Sequence, residues 1–288
     1  MPAVMGKAQA DLIATGDLRR MQLEELGILK EFVALCKKHD LKYFLIGGTL
    51  LGAVRHHGFI PWDDDIDIAM PRDDYERFLS LPSSEFHEPF ALCTFENDGA
   101  YRYPWARMIS HNMREINRMA NIPRVEYSWI DLIPLDGIPN PGIMRALHKV
   151  RLSFWWNLNQ IVQFDELVDQ RRRRSTIGSA SVKIASCFRW LNHLVPYKTC
   201  LRALNKVLKE CPYDSDTHDV LNFLAAFGFD ETFPRSSFAT SALYQFEGER
   251  FVGPADFQTV CETIYGPTYM EFPPEEDRNK HHAEIIDD

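Results

Sequence analysis

The residues most capable of chemistry lie at 63–67, where four of five side chains are aspartates immediately before an apolar stretch. Alternation along a strand places Asp65 and Asp67 on one face and turns Ile66 toward a core. Two carboxylates about 7 Å apart along a strand can converge on one divalent ion. Ligand sets made only of oxygen suit Mg²⁺ or Mn²⁺. The alternative, a solvated acidic turn, fits Asp63 and Asp64 but fits Asp67 poorly, because isoleucine flanks it on both sides.

A second motif, Gly47-Gly48-Thr49, precedes the acidic run, and fifteen residues separate Thr49 from Asp65. A strand that ends in two glycines and opens a helix lets backbone N–H groups approach a phosphate closely. Gly-Gly turns are common, so this signal is weak by itself. Next to a carboxylate–metal site, however, a phosphate cradle is the arrangement that phosphoryl and nucleotidyl transfer require.

Hydrophobic spacing predicts the elements that must position these motifs. Predicted strands cover residues 43–46, 66–70 and 127–135, and predicted helices cover 21–38, 50–55 with Thr49 as its cap, 73–79 and 254–265. Helical patterns fill residues 143–208, and alternation around Gly248 predicts a β-hairpin over 244–252. We expect the Pro-rich and then charged residues 271–288 to lie over the surface.

Composition limits the class of protein. The chain has 288 residues, is 45% hydrophobic and carries a formal net charge of −9, which does not favour general nucleic-acid binding. Its six cysteines form no CxxC pair, so no zinc site is indicated and free thiols in a reducing cytosol are expected. The N-terminus lacks a signal-peptide pattern, and apolar stretches such as 152–164 are too short to span a bilayer. We therefore expect a cytoplasmic protein.

The segment "IGGTLLGAVRHHGFIPWDDDIDIAMPRDDYERF" resembles the signature of the LicD family of phosphotransferases, which includes bacterial phosphocholine transferases. It is also similar to the fukutin-related ribitol-phosphate transferases. The likeness continues in "WIDLIPLDGIP" and "FEGERFVGPADF…IYGPTYMEFPPEEDR", so it runs from about Tyr43 to Arg278 but leaves the middle helical region undefined.

The resemblance implies an α+β fold with a nucleotidyltransferase-like mixed sheet, flanking helices and a helical insertion. In that fold the Gly-Gly turn follows the first strand and D-x-D lies on the second. Residues 1–142 would form the catalytic core, residues 143–210 a basic helical insert, and residues 211–288 a region completing the core.

Within the resemblance, Asp65 and Asp67 match the D-x-D metal ligands, with Mg²⁺ expected and Mn²⁺ as the alternative ion. The fold implies a third carboxylate on a neighbouring strand, and Asp131 is preferred because an idle carboxylate in mid-strand would be costly. Its role would be metal ligand or general base. Asp136 is the competing candidate, but it precedes a glycine, where a turn-forming aspartate is ordinary. Asp63 is a candidate for orienting a metal-bound water.

We expect Gly47, Gly48 and Thr49 to bind substrate together with two arginines. Arg55 would reach the donor phosphate or pair with the aspartates, and Arg107 would neutralise the leaving phosphate. The alternative for both arginines is a structural salt bridge. His281-His282 are catalytic candidates whose ordinary interpretation is a solvated tail. A choline donor would need an aromatic cage, for which the candidates are Trp62, Tyr103, Trp105, Tyr127 and Trp129.

These implications describe a metal-dependent transferase. Its donor would be a CDP-activated alcohol, CDP-choline first, and a sugar hydroxyl of a cell-surface glycan or lipid-linked glycan precursor would attack phosphorus and release CMP. CDP-glycerol or CDP-ribitol is the alternative donor. An inactive nucleotide- or glycan-binding scaffold is the alternative of another class, and the presence of Asp65, Asp67 and the Gly-Gly turn argues against it.

The charge is unevenly distributed. Residues 143–210 hold 13 Lys and Arg against 4 Asp and Glu, including a run of four arginines at 171–174. Because acceptors in the family are often lipid-linked, one hypothesis is that this segment docks on an anionic membrane surface. The alternative is that the cations solvate helix ends or pair with the acidic remainder of the chain.

Overall fold

The computed structural model describes residues 14–117, 123–167, 185–275, 278 and 283–286. Its helices are Gly16–Lys38 (α1), Gly47–Arg55 (α2), Arg72–Leu79 (α3), Ile143–Val162 (α4), Phe164–Leu167 (α5), Tyr197–Leu208 (α6) and Phe257–Tyr265 (α7). Its strands are Phe44–Leu45 (β1), Asp67–Pro71 (β2), Phe90–Cys93 (β3), Ala106–Asn117 (β4), Arg124–Ile138 (β5), Asp219–Leu221 (β6), Thr232–Pro234 (β7), Ser241–Phe246 (β8), Glu249–Pro254 (β9) and Ala283–Ile286 (β10).

Eight of these strands form one mixed sheet in the order β1-β2-β5-β4-β10, in which β3 also pairs with β4, and β6 links the end of β5 to β7. The β2–β5 pair is parallel and the other pairs are antiparallel. The predicted hairpin is present as β8–β9. The expectation of an α+β fold built on a mixed sheet with flanking helices is confirmed.

The main core lies between this sheet and helices α1, α2 and α3. Phe32 of α1 and Phe78 of α3 are fully buried with their rings 5.1 Å apart. Ile66 and Ile68 are also fully buried, whereas Asp67 between them is only half-buried. The predicted alternation is therefore present, and the acidic residues are held at the edge of a well-packed core.

Several predicted boundaries differ from the structure. Helix α1 begins five residues before the prediction, and β4, the central partner of β5, was not predicted. Ala283–Ile286, for which no strand was predicted, pairs antiparallel with the end of β4 at the edge of the sheet. This edge pairing satisfies backbone groups that a surface segment would leave to water.

Helices α4 and α6 pack on β5 through a second core that includes Leu152, Leu204 and Ile133. Cations of the basic segment pair with acids outside it, as the alternative to membrane docking anticipated; the pairs are Arg145–Asp219, Arg202–Glu96 and Lys209–Glu76. The arginine run at 171–174 and His281-His282 lie outside the described residues. The three-part domain division stays a prediction.

A buried ion pair joins α3 to the sheet. Arg72 donates to both carboxylate oxygens of Asp136 at 2.7 and 2.5 Å, and both residues are almost completely buried. Replacing Arg72 with Met should lower the free energy of unfolding by about 3–5 kcal/mol, because Asp136 is left buried without its cation. Urea denaturation measures this loss.

The matched control is the double variant Arg72→Met/Asp136→Leu, which removes both charges. It should recover much of the stability, because an apolar pair of similar volume often replaces a buried ion pair without net loss. If the free energy of unfolding of the single Arg72→Met variant lay within about 1 kcal/mol of the wild-type value, the ion pair would not be what stabilises Asp136.

Candidate active site

A row of candidate site residues crosses three neighbouring strands. Asp67 of β2 is in register with Asp131 of β5, and Asp131 is in register with Arg107 of β4. Residues aligned on adjacent strands point to the same face of a sheet. The backbone N–H of Asp131 also donates to the carbonyl of Ile66 at 2.9 Å. The structure thus brings the second D-x-D aspartate, the candidate third carboxylate and one candidate arginine together.

Immediately before β2, three carboxylates converge. One oxygen from each of Asp63, Asp64 and Asp65 lies within 4.8 Å of the other two. Among the described residues this group does not extend to Asp67 or Asp131. Asp63 and Asp64, expected to fit a solvated turn, thus lie beside Asp65, because the strand pattern does not determine how the preceding loop curls.

Burial and mutual repulsion raise the pKa values of these carboxyl groups. For Asp63 the cause is burial and then the charge of Asp64; for Asp65 it is burial and then the charges of Asp63 and Asp67. Burial and the charge of Asp131 raise the pKa of Asp67. A cluster of carboxylates that raise one another's pKa is suited to a hard divalent cation, and its all-oxygen donor set is the one that Mg²⁺ or Mn²⁺ prefers.

The Gly-Gly turn lies against this cluster. Gly47 has φ +58, and a Cβ there would lie 2.9 Å from Oδ2 of Asp67. A Cβ on Gly48 would lie 2.3 Å from Oδ2 of Asp63, which is closer than real contacts allow. The two glycines therefore let the carboxylates approach the start of α2, an observed role that the sequence analysis did not assign. Their role as a phosphate cradle stays a prediction.

Thr49 links α2 to β2 through a hydrogen bond. It is buried, and its Oγ1 accepts a hydrogen bond from the backbone N–H of Asp67 at 2.9 Å. The expectation that Thr49 caps α2 is wrong, because the helix already begins at Gly47 and its cap residue is Ile46. Thr49 positions the D-x-D strand, and its contact with substrate stays a prediction.

Asp131 is held by two donors. Arg107 Nε and Trp105 Nε1 each donate to its Oδ1 at 2.7 Å. The guanidinium of Arg107 lies 4.3 Å from the ring centroid of Tyr103 and 4.0 Å from that of Trp129. Two of the five rings considered for a choline cage thus lie against a protein cation instead, and the structural salt bridge that was the alternative for Arg107 is present.

Arg55 is buried and contacts the C-terminal residues that line one side of the site. It donates to the carbonyls of Tyr269 and Glu271 at 3.1 Å each, and its guanidinium lies 5.1 Å from the ring centroid of Phe272. Burial lowers its pKa. Its reach to a donor phosphate stays a prediction.

A cleft of about 550 Å³ opens over this cluster and is lined by Asp63, Asp65 and Asp67. Its aromatic lining is Trp62, Phe227, Tyr265, Tyr269 and Phe272. Of these, the sequence analysis named Trp62 alone. Tyr265 and Phe272 lie in a block quoted for the family resemblance, whereas nothing in the sequence around Phe227 marked it.

Comparison with known proteins agrees with this architecture. Residues 40–134 match the family model described as LicD/FKTN/FKRP, nucleotidyltransferase domain. This part of the chain is thus similar to the LicD family. The match contains the Gly-Gly turn, the aspartate cluster, Arg107 and Asp131.

The LicD likeness extends beyond that domain. The chain is 29% identical to the lipopolysaccharide cholinephosphotransferase LicD of Haemophilus influenzae, over 93% of this chain and 96% of that protein. It is 26% identical to the mouse ribitol 5-phosphate transferase FKRP, over 46% of this chain and 23% of that protein. The human FKRP is 27% identical over a similar stretch. These comparisons support a LicD-like phosphotransferase.

Proposed function

We propose that the protein transfers phosphocholine from CDP-choline to a sugar hydroxyl of a cell-surface glycan or lipid-linked glycan precursor and releases CMP. The observation that carries the proposal is the register of Asp67 with Asp131 beside the three-aspartate loop, next to a cleft that Asp63, Asp65 and Asp67 line. The likeness to a cholinephosphotransferase over nearly the whole chain supports the choice of headgroup.

In this proposal Asp65 and Asp67 hold Mg²⁺ or Mn²⁺, and one carboxylate oxygen each of Asp63 and Asp64 lies within 4.8 Å of one of Asp65. Asp131, in register with Asp67, is the third ligand or the general base. The bound ion would screen the diphosphate charge and favour departure of CMP. The start of α2 at Gly47-Gly48 and the guanidinium of Arg55 would position the donor phosphates.

Asp131 is also the group best placed to accept the proton of the attacking hydroxyl. Its Oδ1 is engaged by Arg107 and Trp105, and no hydrogen bond from the described residues reaches its Oδ2. Fixing one oxygen while leaving the other available orients the carboxylate as a base requires. The ion pair with Arg107 balances the charge of the Asp131 carboxylate beside the other aspartates.

Donors carrying glycerol or ribitol are the second candidates, and the likeness to FKRP supports ribitol. The chain spans about a quarter of the length of FKRP, so this support concerns the catalytic domain. An inactive scaffold would not need so many carboxylates in a cleft, since burying them together is costly.

A donor screen tests the proposal. Thermal shift is measured with Mg²⁺ and CDP-choline, CDP-ethanolamine, CDP-glycerol or CDP-ribitol, and CMP release is then followed with glycan extracts as acceptors. CDP-choline should give the largest shift and release CMP in a reaction that EDTA stops. Binding without CMP release from any donor would favour the scaffold. If CDP-ribitol gave the largest response, the transferred group would be ribitol phosphate and not phosphocholine.

The exposed apolar face of α4 supports a membrane surface as a further binding partner of the protein. Ile143, Leu147, Val150 and Phe154 follow helical spacing and are each more than half exposed. Trp190 and Leu194, on a segment that packs beside α4, are exposed as well. Apolar side chains on one face of a helix, within a basic segment, are typical of interfacial binding. No described helix is long and apolar enough to cross a membrane.

We predict that the wild-type protein sediments with anionic vesicles at low salt and is released at high salt, because salt screens the basic segment. The double variant Leu147→Ser/Phe154→Ser should remain in the supernatant, having lost the apolar contact. The matched control is Leu243→Ser, which changes an equally exposed leucine on β8. Wild-type protein that ignores anionic vesicles even at low salt would contradict the prediction.

A further inference from the structure

Two exposed aromatic side chains form a corner in the wall of the acidic cleft. Phe227 is 48% exposed and Tyr265 is 36% exposed, although both line a concave surface. Their ring centroids are 6.4 Å apart and their planes are nearly perpendicular, at 86°. Apolar rings left in contact with water inside a cleft provide a large favourable surface for a ligand.

This corner differs from the other aromatic groups around the site. Phe272 carries Arg55 over its ring, Trp62 carries Arg278 at 4.7 Å, and the rings near Asp131 surround Arg107. Within the described part of the chain, no arginine or lysine lies over Phe227 or Tyr265. These two rings are therefore open to a cation that comes from outside the protein.

The corner also lies in a negative field. Partial burial and the nearby charges of Asp63, Asp67 and Asp65 raise the pKa of the Tyr265 phenol. The backbone N–H of Phe227 donates to Oε1 of Glu231 at 3.2 Å, which places a further acidic side chain at the backbone of Phe227. A positively charged group entering the corner is attracted by both the carboxylates and the ring faces, whereas a neutral polyol is attracted by neither.

We propose that Phe227 and Tyr265 bind the quaternary ammonium group of the donor and thereby select choline over glycerol or ribitol. The inference rests on the proposed phosphotransfer and assigns its donor headgroup to these two residues. A methylated ammonium cannot donate hydrogen bonds, so aromatic faces, rather than carbonyls or amides, are its suitable partners.

Steady-state CMP release with CDP-choline and CDP-ribitol tests the assignment. Phe227→Leu and Tyr265→Leu keep apolar bulk at partly exposed positions and remove the π face. Each should raise KM for CDP-choline about tenfold, with a smaller change in kcat, and leave KM for CDP-ribitol unchanged. Tyr265→Phe is the matched control, because it retains the ring and should keep KM for CDP-choline within twofold of wild type. Thermal melting confirms that all three variants are folded.

The outcomes separate this assignment from the proposed function. If wild-type protein uses CDP-choline but both leucine variants keep its KM, the corner does not bind the headgroup and the phosphotransfer stands. If wild type favours CDP-ribitol, the corner does not select choline. If wild type releases CMP from none of the donors, both the proposed function and the headgroup assignment are overturned.

Discussion

Replacing Asp67 with Asn is expected to abolish transfer without weakening the metal-free fold, and Asp65→Asn should do the same. Both substitutions remove a proposed ligand. Changing residues that merely support metal ligands costs about 10–100-fold, so loss of a ligand should exceed about 100-fold. The metal-free protein, in contrast, gains from each change, because burial and neighbouring aspartates oppose ionisation at both positions.

The stability readout makes this prediction more specific than a loss of activity. Metal-free Asp65→Asn and Asp67→Asn should melt at or above the wild-type temperature, and Mg²⁺ should stabilise wild type more than either variant. Asp73→Asn is the control, since it removes the same charge from an exposed position on α3. Near-normal turnover of either cleft variant at saturating Mg²⁺ would contradict the assignment of the acidic pair as ligands.

The parts of the fold that follow local rules were predictable. Alternation placed Ile66 and Ile68 in the core, and glycine before Thr49 marked the start of a helix beside the acidic strand. The position of Asp131 needed the family resemblance, because register between β2 and β5 depends on strands more than fifty residues apart in sequence. Local patterns do not carry such long-range pairing.

The partners of the site residues were less predictable than their types. Arg55 and Arg107 were singled out as cations for phosphate, yet the structure engages them with backbone carbonyls, Asp131 and aromatic rings. Phe227 reaches the cleft from the C-terminal region, far from the aspartates in sequence. Side chains that meet only through tertiary packing leave no signal in the local sequence.

Asp131→Asn should lower turnover by at least about 100-fold, the lower end for loss of acid–base catalysis, with little change in donor affinity. The amide oxygen of Asn can still accept the hydrogen bonds from Arg107 and Trp105, so the side chain should keep its place. Its amide nitrogen then replaces Oδ2 and has no lone pair to accept a proton. Turnover at saturating donor and thermal shift with the CDP donor measure the two effects separately.

The effect on stability should be opposite to that of the Asp67 substitution, although both remove one carboxylate from the same row. Asp131 is the close partner of buried Arg107, whose other acidic neighbour, Glu126, is 3.6 Å away. Losing that charge leaves the guanidinium less well paired, so the melting temperature of Asp131→Asn should fall below wild type.

Trp105→Phe is the control for a merely structural role of Asp131. It removes one hydrogen bond to Oδ1 and retains the carboxylate, so it should lose much less activity than Asp131→Asn. If Trp105→Phe and Asp131→Asn reduce turnover equally, the carboxylate supports the sheet rather than the reaction. A much larger loss of turnover in Asp131→Asn than in Trp105→Phe would show that the carboxylate takes part in the reaction.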